Sequence, residues 1–333
     1  MSKLDFSKKI SSEEVLKILE DCEKQSDIEN VFRYVCRYEL TDTFDKLRKR
    51  GIKFSMDKHY QFKQSALLGK FEMFKLLLTD DTVNMYVEDN YCILYASENN
   101  HWDIVEYIMN SEGFDPSINN NSLIQRLCKS NRNARLIKIL LEDERVDPSV
   151  DNLALINTIQ FNNKEIFDIL IKDKRINPSA HCSGSRCEYE TTALAVSCVH
   201  NRYDMFKVLL EECKVDPSDM DNFAIQKASA FGNIEMVRDL LKDERVDPTV
   251  NNNYCINHAF NFNHIDIARL LLEREGVFIE DMEYVKREFN YAIEHDVPEK
   301  VIFCIDIGHP KPDITVEPYK NLSNELKERI VHA

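Results

Sequence analysis

The side chains best suited to chemistry gather in HCSGSRCEYE, from His181 to Glu190, where His181, Cys182 and Cys187 could offer an imidazole and two thiolates to zinc. Zinc takes four ligands. The fourth would have to be Cys198 or His200 from the following helix, and the spacing matches no usual zinc knuckle, so no metal is expected. The ten cysteines are scattered with no CxxC pair, and read as small buried hydrophobes of a reducing compartment. The acidic pairs Asp143/Glu144 and Asp243/Glu244 recur at repeating positions, which suits solvated loops rather than one acid/base pair. GxGxxG, phosphate-loop, GxSxG and HExxH motifs are absent. Seven glycines in 333 residues leave little from which to build a Gly-rich anion cradle. No catalytic residue and no cofactor are expected.

Charge narrows the partner. A formal net charge of −15 without a long basic run disfavours nucleic acid, whose phosphates need a basic face, and anionic membrane surfaces. No apolar run reaches the roughly 18 residues of a membrane span. The opening MSKLDFSKKISSEEVLKILEDC carries charges where a secretory signal needs its apolar core. These features predict an intracellular, cytoplasmic and monomeric protein, with no nucleic-acid or membrane partner.

The elements that carry such a surface come from a repeat. Five of the nine prolines fall in one phrase: SEGFDPS, DERVDPS, DKRINPS, ECKVDPS and DERVDPT, with Pro116, Pro148, Pro178, Pro217 and Pro248 spaced 32, 30, 39 and 31 residues apart. The spacing predicts seven units, at 56–86, 87–117, 118–149, 150–179, 180–218, 219–249 and 250–280. Segment 1–55 reads as a helical N-terminal cap or degenerate repeat, 281–309 as a degenerate C-terminal one, and 310–333 as a tail. In the sixth unit Ala224, Ile225 and Ala228 give the buried face of a first helix, and Ile234, Val237, Leu240 and Leu241 that of a second. Helices of about ten residues do not hold alone in water, so neighbouring units must bury their faces. The expected fold is all-α, a solenoid of helix-turn-helix repeats.

The pattern from Ala224 to Leu241, A-I-x-x-A-x-x-x-G-N-x-E-M-V-x-x-L-L, resembles an ankyrin repeat, and the R-V-D-P-S/T phrase falls where that family's projecting hairpin begins. The likeness covers about 56–280. Two departures stand out. The family's Thr-Pro-Leu-His opening is replaced by Phe223-Ala224-Ile225-Gln226, and Asn90, Asn121, Asn152, Asn222 and Asn253 are expected to cap the first helices instead. The left-handed residue closing the first helix is Gly only at Gly69 and Gly232. It is Asn at Asn100, Asn131, Asn162, Asn201 and Asn263, the residue that best tolerates that conformation after Gly. The Asn-rich, Gly-poor wording is similar to ankyrin proteins of large DNA viruses of amoebae.

The resemblance implies a non-catalytic scaffold that binds a protein partner, its identity unknown, on the concave side of the solenoid, through hairpin tips and the flanks of the first helices. One column, Phe161, His200, Phe231 and Phe262, shares the position before the helix-closing residue. Aromatic rings on a polar face are typical anchors. Rings tucked into the groove between first helices, merely packing, are the competing reading. The expected partner-binding residues are this column with the tip residues Val150, Tyr189, Met220 and Val250. The insertion around Tyr189 reads as a longer recognition loop. His101 and His264, after the helix-closing residue, read as structural, and Trp102 as core.

The tail ends NLSNELKERIVHA, with an amphipathic stripe of Leu322, Leu326, Ile330 and Val331. It resembles the first helix of an F-box, with Ser323 in place of a proline. That implies an alternative function, a substrate receptor for a ubiquitin ligase. The competing reading is a capping helix.

Overall fold

A computed structural model describes residues 7–22, 24–49, 58–80, 83, 87–182, 190–312, 319 and 322–332. The chain divides into two compact units, Met1–Ile176 and Asn177–Ala333. The first holds α1 (Ser12–Glu20), α2 (Gln25–Arg37), α3 (Thr41–Lys49), α4 (Lys58–Leu67), α5 (Phe71–Leu78), α6 (Val87–Glu98), α7 (Trp102–Met109), α8 (Ile118–Leu127), α9 (Ala134–Leu141), α10 (Leu153–Gln160) and α11 (Lys164–Leu170). The second holds α12 (Ala193–Val199), α13 (Tyr203–Lys207), α14 (Asp219–Ala230), α15 (Ile234–Leu240), α16 (Val250–Asn261), α17 (Ile265–Leu272), α18 (Met282–Glu294), α19 (Pro298–Asp306) and α20 (Asn324–His332). The fold is an all-α repeat, as the periodicity requires. The one strand pair among the described residues is β1 (His181–Cys182) with β2 (Thr191–Thr192), antiparallel.

Each helix pair closes on apolar faces. In α14 these are Ala224, Ile225 and Ala228, and in α15 Met236, Val237 and Leu240, all buried. Small residues on the first helix let the next first helix approach, and α12, α14 and α16 pack side by side. Ile234 stays half-exposed while Met236 takes the core position. Trp102 is also half-exposed rather than core, with the Arg135 guanidinium 4.3 Å from the indole centre.

The D-P-S phrase shapes the turns. The carboxylate of Asp147 accepts from the backbone N–H (2.9 Å) and hydroxyl (2.6 Å) of Ser149. Asp115, Asp216 and Asp247 do the same for Ser117, Ser218 and Thr249. The intervening proline has no N–H to satisfy. Beyond the phrase the chain does not run out into a hairpin. It passes through consecutive left-handed residues straight into the first helix: Asn119–Asn121, Asp151–Asn152, Met220–Asn222 and Asn251–Asn253, with φ of 51° to 62°. Among the described residues only the inserted unit has strands, and there Thr192 caps α12 by accepting from the Ala195 N–H at 3.1 Å.

This corrects the expected helix caps. The amide oxygens of Asn121 and Asn222 do not cap their own helices. They accept from the N–H of Asp147 and Asp247, each at 2.8 Å, tying the start of one helix pair to the turn that ends it. The helix-closing position is left-handed at Gly69, Asn100, Asn162, Asn201, Gly232 and Asn263. Asn131 departs from that pattern, opening a 3₁₀ turn over Asn131–Asn133.

Candidate partner-binding face

The next residue after each helix-closing position reaches back one repeat. Asn163 donates to the Cys128 carbonyl at 2.6 Å, Asn233 to that of Cys198, and His101 Nε2 lies 3.1 Å from the Leu67 carbonyl. Glycine closes the first helix where a histidine follows one repeat later. A Cβ on Gly69 would meet the His101 ring at 2.4 Å, and one on Gly232 the His264 ring at 2.6 Å. Both histidines therefore serve the scaffold. The arginine of the DxR phrase works similarly. Arg145 is gripped by Asp143 and donates to the Phe114 carbonyl at 3.1 Å, while Arg175 reaches those of Val146 and Leu141. Asp143 and Asp243 are thus ion-paired rather than merely solvated, and the hydrogen bond from Arg245 holds the Asp243 carboxyl down at about 2.

On that frame the three phenylalanines of the aromatic column are exposed. Phe161, His200, Phe231 and Phe262 are the residues that end α10, α12, α14 and α16. Phe161, in the first unit, is 46% exposed, and in the second Phe231 is 53% and Phe262 60% exposed. Those figures decide against rings tucked into a groove. His200 is half-buried, and burial, then Arg202, lowers its pKa.

Further rings and a cation lie one and two turns back along α14 and α16. Tyr254 and His258 stack at 3.6 Å, and His258 lies 6.0 Å from Phe262. Lys227 lies 4.5 Å from the centre of Phe223. On α18 Tyr291 stacks on His295 at 4.0 Å. Burial, followed by Lys227, leaves the His258 pKa lowered, partly countered by the Tyr254 backbone. The i, i+4, i+8 spacing of Tyr254, His258 and Phe262, matching Phe223, Lys227 and Phe231 at an offset of 31, was the available signal. A single position per repeat does not reveal them, because they lie four and eight residues earlier on the same helix face.

Residues 124–221 match the family model for ankyrin repeats (3 copies). Ankyrin repeats generally mediate protein–protein interaction. No curated protein matches the chain.

Val150, Met220 and Val250 sit half-buried at the left-handed turns, and Met220 itself has φ 53°. Tyr189 and Cys187 lie outside the described residues. Cys182 is buried and disulfide-bonded, which removes it as a thiolate ligand and as a reduced cysteine. His181 is already engaged: Nε2 lies 2.8 Å from Asp219 and Nδ1 3.1 Å from Glu190. No group of side chains among the described residues could hold a metal ion. No helix among them is long and apolar enough to cross a membrane.

Proposed function

We propose that this chain is a non-catalytic scaffold that binds a protein partner on the flank of its first helices, the concave side in the ankyrin arrangement. Phe231 and Phe262 are the anchors in the second unit, His200 lies beside them, and Phe161 offers a similar ring in the first. Met220 and Val250 in the second unit and Val150 in the first are further contact residues in this reading, and Tyr189, outside the described residues, is kept from the sequence alone. The carrying observation is the exposure of Phe231 and Phe262 at the same position of helices that pack side by side. Large rings held outward at successive repeats suit a partner that covers them.

The test is affinity capture from cell extract with the wild type and a Phe231→Ala/Phe262→Ala variant. Each truncated anchor costs about 2 kcal/mol, roughly thirty-fold in affinity, so the double variant loses its specific partner. A partner retained at wild-type level refutes the face. The tail's stripe supports a capping role over adaptor binding. Leu322, Leu326 and Ile330 are buried, α20 packs on α19, and Arg329 pairs with Glu299 at 2.9 Å.

A further inference from the structure

A cleft of 670 Å³ opens in the first unit between α2 and α4. Arg33, Arg37 and Lys70 line it, with no carboxylate among the described lining residues. In a chain of net charge −15 this is a local reversal of sign. Glu39 stands 3.9 Å from Lys70, the outer limit of an ion pair, and neutralises one cation at most. No ion partner of Arg37 occurs among the described residues.

The remaining walls are amphipathic. Tyr38 and Tyr60 contribute rings and Leu68 an aliphatic surface, with Tyr60 and Leu68 exposed. Gln61 also lines the cleft, although its side chain belongs to a residue only 5% exposed. Among the described residues no hydrogen bond reaches its amide. The amide is open to the water of the cleft and offers a donor and an acceptor to a ligand there. Guanidinium groups present forked donors matched to carboxylate and phosphate oxygens.

We propose that this cleft binds an anionic side chain of a peptide, carboxylate or phosphate, with an apolar neighbour lying on Tyr60 and Leu68. The anion pairs with Arg37 and Lys70, and the peptide backbone or the anion itself accepts from Gln61. The site does not depend on the aromatic column of the second unit.

Three capped peptides test it, acetyl-Ala-Leu-X-Leu-Ala-amide with X as glutamate, phosphotyrosine or glutamine, titrated calorimetrically into the full chain. At least one anionic peptide should bind about ten-fold more tightly than the glutamine peptide, a gain of about 1.4 kcal/mol. The tighter of the two identifies the anion. Arg37→Gln and Lys70→Gln should each remove about five-fold, while Arg238→Gln, an exposed cation on α15, leaves binding unchanged. Arg37 is exposed, so its substitution leaves the fold intact, as circular dichroism would verify. Equal affinity for all three peptides overturns the proposal, as does a preference that survives both cleft substitutions. The Phe231→Ala/Phe262→Ala variant should bind the peptides as the wild type does, whatever becomes of its protein partner.

Discussion

Met220 occupies a left-handed turn with φ 53°, where its counterparts Asn119 and Asn251 tolerate the same geometry. A side chain without a local hydrogen-bonding group costs about 1 kcal/mol there. Replacing Met220 with Asn should therefore raise the urea midpoint, by about 1 kcal/mol of stability. Weaker partner capture by the stabilised variant would identify Met220 as a contact residue; unchanged capture would make it a bystander. Gly232 gives a sharper case. Gly232→Ala brings a Cβ to 2.6 Å from the His264 ring at φ 76°, and should destabilise by about 2–4 kcal/mol. Adding His264→Asn, the pairing found between Asn201 and Asn233, should recover about half of the loss; no recovery would show that backbone strain alone is responsible. The choice between Gly and Asn was visible in the sequence as a tolerance for left-handed backbone. Its cause was not, because the ring that excludes a Cβ comes from the next repeat. Likewise the column of Phe231 and Phe262 was legible from the repeat, but its exposure depends on helix rotation, which one residue per repeat does not fix.

Among the elements, the turns carry most of the ties. Asn222 is buried, left-handed and hydrogen-bonded to the Asp247 N–H. Asn222→Ala should lose about 2 kcal/mol, from the orphaned N–H and the backbone together. Asn222→Gly should lose only the hydrogen-bond share, about 1 kcal/mol, as chemical denaturation would measure. The sequence pointed to these asparagines as helix caps because Asn before a helix usually caps it. Left-handed backbone instead turns their amides toward the phrase some 25 residues on. The inserted hairpin is fastened by His181, whose pKa is raised first by the Asp219 hydrogen bond and then, against some burial, by Glu190. Folded protein thus binds this proton more tightly than unfolded protein. Its stabilisation is full below the ordinary histidine range and fades as pH rises through the raised folded value. His181→Gln should therefore match the wild type near pH 9. It should fall below it near pH 5.5, by about 0.5–1 kcal/mol for so exposed a pair. Equal melting curves at both pH values would show that the latch contributes nothing.

Across the whole molecule, the all-α repeat was legible because a thirty-one-residue period survives without gaps from Asp221 to Val277. The disulfide at Cys182 was not, since cysteine spacing alone names no partner. Loss of the tail is expected to tell at this scale. Ending the chain at Asp313 removes Leu322, Leu326 and Ile330 from their buried places and uncovers α19. Burying such side chains is worth about 1.5–3 kcal/mol each, so the melting temperature should drop by several degrees. An unchanged melting curve would leave the helix free for another role. The ties described within each unit reach no further than the next repeat. Clasps such as Asn121 to Asp147 span 26 residues, and staples such as Asn163 to Cys128 span 35. Pulled between two beads, such a chain would be held chiefly by these short-range ties. It should lengthen in even steps, each releasing one helix pair of thirty-odd residues, or about 100 Å of contour.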